Sequence, residues 1–274
     1  STRIIESRVG RLTTIMVIPL ISCGARLPVY SLLIPAFFPP EWRAAVMWLI
    51  YFFGILLAVL LALILRATVF RGESQPFVME LPPYRVPTLR GLLIHMWGKS
   101  RMYLRKAGTV ILAVSVLMWF AAHWPSPPRE KLAAVGAEEA RAMVLADSLV
   151  GRFGKAVAPV LKPIGFDWRA ASALVGATAA KEVFVAQMGI VFGVGETSDS
   201  ASRLRERLRV DYGAASGLAM LVYLLVASPC IATFAIVRRE TGSLKWPVFQ
   251  WTGLTLIGYL LALITYQVAS RLGG

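Results

Sequence analysis

Two cysteines lie inside apolar stretches that proline and glycine also interrupt: Cys23 in P-L-I-S-C-G-A-R-L-P-V-Y (19–30) and Cys230 in A-S-P-C-I-A-T (227–233). A third apolar stretch carries Lys181 and Glu182 side by side near its middle. Thiolates and carboxylates are metal ligands, the thiolate favouring softer ions. A charged side chain at the centre of a membrane helix costs roughly 2.5–3.5 kcal/mol on insertion scales. Helix breaks and charges at membrane depth are tolerated where they face a protein-enclosed cavity or pathway. The pattern predicts a membrane protein that passes something polar through itself.

Around Cys23, the neighbours Ser22, Gly24 and Pro28 interrupt the helix and release backbone carbonyls, which are themselves cation ligands. Arg26 in the same interruption turns that break towards protein or water rather than lipid. Pro229 kinks the helix before Cys230 or frees a carbonyl one turn back. Neighbouring residues on a helix point about 100° apart, so Lys181 and Glu182 do not neutralise each other directly. The expected metal ligands are Cys23, Cys230 and Glu182, stacked along one path with Cys23 towards the cytoplasm and Cys230 towards the outside. Ser22, Gly24, Arg26, Pro28, Lys181, Met188 and Pro229 are candidates for lining or gating it. Each has a plainer reading. A buried cysteine is also a small hydrophobe, Met188 also fills space, Lys181 also snorkels, Glu182 also hydrogen-bonds a neighbouring helix, and Pro229 also makes a simple kink.

Hydrophobic residues make up 57% of the 274 and charged ones 16%, with a mean hydropathy of +0.65, against roughly a quarter charged in ordinary soluble domains. The fold expected is an all-α membrane protein, a polytopic helical bundle forming a single transmembrane domain. Windows of about 20 apolar residues fall at 13–38, 42–65, 107–124, 170–195, 214–237 and 246–270, giving six spans, of which the first, fourth and fifth are interrupted. Amphipathic patterns at 88–106 and 138–164 predict helices lying on the membrane surface.

The net charge of +14 sits between the apolar runs, where arginine and lysine govern orientation and meet anionic lipid, so nucleic acid is not the expected partner. The basic head (Arg3, Arg8, Arg11) and the segment 66–106, with Arg66, Arg71, Arg85, Arg90, Lys99, Arg101, Arg105 and Lys106, are placed in the cytoplasm, and Arg203, Arg205, Arg207 and Arg209 are expected on that side too. Two cysteines so far apart give neither a disulfide framework nor a C-x-x-C knuckle, so both are read as reduced thiols. W-G-K-S (97–100) ends like a phosphate-binding loop but has Leu93 where that motif needs glycine. His95 and His123 are read as interfacial rings. No nucleophile–base arrangement is visible, which favours a transporter over an enzyme.

From R-L-T-T-I-M-V-I-P-L-I-S-C-G-A-R-L-P-V-Y (11–30) the chain closely resembles the FeoB family of bacterial ferrous iron transporters. The likeness continues through A-G-T-V-I-L (107–112), G-A-T-A-A-K-E-V-F-V-A-Q-M-G (176–189), P-C-I-A-T (229–233) and E-T-G-S-L-K-W (240–246). The resemblance implies Fe(II) uptake across the bacterial cytoplasmic (inner) membrane by a multi-pass region with gate-type repeats. Cys23 and Cys230 match the family's pathway cysteines, and Lys181 and Glu182 match its K-E pair. It also implies a cytosolic GTP-binding domain and an earlier membrane segment as partners, so the chain reads as a piece of a larger assembly. Fe(II) is the transported substrate and no permanently bound cofactor is implied; self-association stays open. The rival readings are a non-conducting scaffold subunit, or a transporter of another divalent metal or of an organic solute. The first predicts the three ligands in dry, separate interfaces, and the last an aromatic and amide-rich pocket near Tyr30 and Gln187.

Overall fold

A computed structural model describes residues 5, 7–70, 88–128, 136–194, 200–227 and 229–272. The expected basic positions Arg3, Arg71 and Arg85 lie outside them. The regular structure among the described residues is helical: α1 (Arg8–Val17), α2 (Leu27–Phe37), α3 (Pro40–Thr68), α4 (Leu89–His123), α5 (Ala137–Asp147), α6 (Leu149–Leu161), α7 (Trp168–Ala179), α8 (Val183–Val191), α9 (Ser200–Asp211), α10 (Ala214–Val226), α11 (Ile231–Thr241) and α12 (Lys245–Arg271). The all-α membrane class expected from composition is the observed one. Four stretches among the described residues are long and apolar enough to cross a membrane: Arg8–Phe37, Pro40–Thr68, Ala214–Thr241 and Lys245–Arg271. The expected surface helix 88–106 and span 107–124 are one continuous helix, α4, because nothing between them breaks the backbone pattern.

The first stretch is two half-helices. Pro19 has no N–H to give the Ile15 carbonyl, four residues earlier, and the chain tightens into a 3-10 turn over Ile18–Leu20. It then runs extended through Ile21 and Cys23 and re-enters helix by a second such turn, Gly24–Arg26, with Pro28 in the first turn of α2. The freed carbonyls are capped from across the bundle, since the buried amide of Gln250 on α12 donates to Ile15 O (2.8 Å) and Met16 O (3.1 Å). Gly54 of α3 backs onto this break, its position facing Leu20 O so closely that a Cβ would stand 3.1 Å away.

The third break separates α10 from α11. Ala227 is extended, Pro229 removes another donor, and Cys230 is the N-cap of α11. Gly258 of α12 lies flat against Ala227, and this contact lets α10 and α12 pack along their length.

The stretch 170–195 departs from the expected crossing. α7 and α8 form an antiparallel hairpin whose tip is Ala180–Glu182. Gly176 faces Gln187 across the pair, and at its open end the Arg169 guanidinium stands 5.1 Å from the Phe192 ring centre. That end is fastened to the end of α9 and the residue after it: Arg169 bridges Asp211 at 2.8 Å, Tyr212 donates to Asp167, and Phe192 meets the Tyr212 ring. Asp167 also caps α7 through Ala170 N–H (2.9 Å). Burial first, then the Asp167 carboxylate, push the Tyr212 hydroxyl above the usual tyrosine range.

The orientation reading changes with the hairpin. Ile15 lies by Gln250, and Phe70 by Trp246, at one end of the bundle. Phe37 lies by Gly217, and Gly165 by Tyr266, at the other, where α9 also packs against α2. Arg203, Arg205, Arg207 and Arg209 of α9 are therefore at the end opposite Arg8, Arg11 and Arg66, because the chain folds back at Ala180–Glu182 instead of crossing. The outer face is apolar: Trp48, Phe52, Leu56, Leu60 and Leu63 of α3 are all exposed, as suits a surface in contact with lipid tails.

Candidate functional site

The two broken stretches and the hairpin tip converge on Lys181. The side chain is 4% exposed, and its Nζ donates to Ala227 O at 3.0 Å. Arg26, Cys23 and Cys230 all stand within electrostatic range of it. Residues far apart in sequence therefore share one junction, built from the N-terminal turns of two half-helices and the C-terminal carbonyl end of α10.

The break at Ala180 has no proline or glycine of its own. Ala180 is extended (φ −152°, ψ 139°), and the Thr178 hydroxyl takes the Val175 carbonyl (2.6 Å), competing with the helical ladder. The Lys181–Ala227 contact is what the departure from helix makes available. It sets a cation at the negative end of α10.

Arg26 is also 4% exposed. Its Nη2 donates to Pro19 O at 2.8 Å, while Nε and Nη1 are buried without a partner. Among the described residues neither buried cation has a carboxylate partner. Ser22 is hydrogen-bonded to the Tyr30 hydroxyl (3.3 Å), fixing the loop beside Cys23. Cys23 is exposed, and Cys230 is half-buried with its Sγ 3.1 Å from Thr233 Oγ1. Both are free thiols. Gly24 and Pro28 are exposed, and Pro229 is buried.

The other expected residues stand differently. Glu182 is the N-cap of α8 and is exposed, whereas its neighbour Lys181 is buried. Met188 is fully buried in the main core with Phe184. Among the described residues, no group of three or more His, Cys, Asp or Glu side chains is placed to hold a metal ion.

Two cavities flank α8. One of about 200 Å³ reaches the hairpin tip and the start of α11, lined by Ala180, Val183, Gln187, His123 and Ile231. The other, about 360 Å³, runs from Pro28 and Ser31 past Gly189 to Arg205. Gln187 is 5% exposed and its Oε1 has no hydrogen-bond partner. Gln187, His123, Ala227 and Gln250 are absent from the sequence-based site. A lone amide in an apolar run is the one signal that marks Gln250 and Gln187 beforehand; Ala227 takes part through its carbonyl, which no side chain announces.

Residues 47–99 match the family model described as ferrous iron transport protein B C terminus, and residues 104–244 match the one described as nucleoside recognition. The chain is 40% identical over 98% of its length to a protein of Porphyromonas gingivalis named Fe(2+) transport protein A/Fe(2+) transporter FeoB fusion protein, spanning 35% of that relative. It is 36% identical over 99% of its length to the Fe(2+) transporter FeoB of Campylobacter jejuni, spanning 44% of it, and 35% identical over 99% to that of Leptospira biflexa, spanning 41%. The chain thus spans less than half the length of these curated relatives. No solved structure matches it. The matched models and the relatives that cover nearly all of the chain agree: this chain belongs to the FeoB family, within its C-terminal membrane region.

Proposed function

We propose that this chain is the conducting part of a ferrous iron transporter in the bacterial cytoplasmic membrane, and that Fe(II) crosses between Cys23 and Cys230. The observation that carries the reading is the placement of two free thiols, from two different broken stretches, around the same buried lysine. Thiol sulfur with released backbone carbonyls suits a borderline divalent transition metal better than sodium or magnesium. Few protein ligands at one point suit conduction, which needs binding weak enough for the ion to leave. Fe(II) is cargo, and nothing in this role requires a resident cofactor or an enzyme's nucleophile.

Glu182, exposed at the hairpin tip, is assigned to the ion's approach rather than to the junction itself. The cavities on either side of α8 serve as vestibules, with His123 and Gln187 in one and Ser31 in the other. Ser22, Gly24, Pro28 and Pro229 keep the breaks open, and Met188 packs the hairpin. The partners proposed for this chain are a GTP-binding domain and an earlier membrane segment, which the longer relatives leave room for. Anaerobic Fe(II) uptake by vesicles holding the full chain with its partner regions tests the reading. Cys23→Ser and Cys230→Ser are each expected to abolish most uptake, as is a membrane-permeant thiol-blocking reagent. Uptake that survives both substitutions overturns it.

A further inference from the structure

Lys181 has a role that the transport reading does not assign. Its amine takes the carbonyl at the end of α10, within electrostatic range of the thiols of two half-helices. The lysine is carried on the tip of a hairpin whose own backbone is not helical at that point. Arg26 stands beside it with two buried N–H groups unpartnered. The junction therefore sets the Arg26 guanidinium and, when protonated, the Lys181 ammonium where a divalent cation would pass, and each such charge repels it.

We propose that the Lys181 ammonium is a tethered resident cation that closes the path, and that Fe(II) passes only when the hairpin tip withdraws it from Ala227. This rests on the proposed Fe(II) route between Cys23 and Cys230. The unpartnered Arg26 nitrogens fit the same picture, since the closed junction gives them no anion.

The experiment measures Fe(II) uptake by the full chain with its partner regions in vesicles without GTP, so that the resting leak is read. Lys181→Met, which keeps length and removes charge, is expected to raise the leak by about tenfold or more. Lys181→Gln, uncharged but able to bond Ala227 O, is expected to leak likewise. Lys181→Arg, which keeps the charge, should show less than about a tenth of the Lys181→Met leak. A resting leak unchanged in both uncharged variants overturns the proposal. Failure of both to fold overturns it too, since a buried charge present only as a barrier is dispensable when replaced by an isostere. The Cys23→Ser and Cys230→Ser controls separate the two ideas. If they abolish uptake while Lys181→Met does not leak, only the lysine barrier falls; if they leave uptake intact, the route itself falls.

Discussion

Replacing Gly258 by alanine tests how tightly α12 holds the third break. A Cβ there would stand 2.7 Å from Ala227 Cβ, 2.9 Å from its N and 3.0 Å from its Cα, whereas carbon atoms rest comfortably at about 3.5–4.0 Å. The neighbours are backbone and a methyl group, so no side chain can swing aside, and the break must move by roughly 0.5–1 Å. Overpacking of this kind costs about 1–3 kcal/mol. The same displacement lengthens the 3.0 Å Lys181–Ala227 bond, and losing a hydrogen bond to a charged group costs about 1.5–3 kcal/mol. Better helix propensity returns about 1 kcal/mol. The net expectation is a loss of about 3 kcal/mol, read as an unfolding temperature roughly 5–10 °C lower in detergent by tryptophan fluorescence. Gly253→Ala, on the same helix with nothing within 4 Å of its added carbon, is the control and should be neutral or slightly stabilising. If the two variants unfold together, the close approach at Ala227 is not what positions the junction.

Gln250→Leu removes both caps on the Pro19-interrupted end of α1 and leaves buried carbonyls unsatisfied, costing about 1–3 kcal/mol and speeding backbone hydrogen exchange over residues 12–18; unchanged exchange there would refute the capping role. Tyr212→Phe addresses the hairpin's anchor. The Tyr212 hydroxyl is raised in the folded protein, so its contribution is present at neutral pH and is lost as pH rises beyond about 10, where an unfolded tyrosine ionises. The variant should be about 1 kcal/mol less stable at neutral pH and should lose less stability than the parent between pH 9 and about 11. An equally steep alkaline loss in the variant would exclude Tyr212 as its source.

Sequence alone determined the class, because long apolar windows leave backbone polar groups no partner except within helices. It also marked the first, fourth and fifth stretches as interrupted, two of them from Pro19, Gly24, Pro28 and Pro229, which act on their own neighbours through missing donors and fixed torsions. The K-E pair was visible as charges in an apolar run, yet which of the two turns inward was not. Lys181 is inside and Glu182 outside because the chain leaves helix at Ala180, and that break is matched by a carbonyl 46 residues away. Likewise no local pattern separates a crossing helix from a hairpin that returns: 170–191 is apolar enough for either. The Arg169–Asp211, Tyr212–Asp167 and Gly176–Gln187 contacts close it into a hairpin. Only the tertiary structure could set the sides of α9 and the company of the two thiols, because both depend on where the chain folds back on itself.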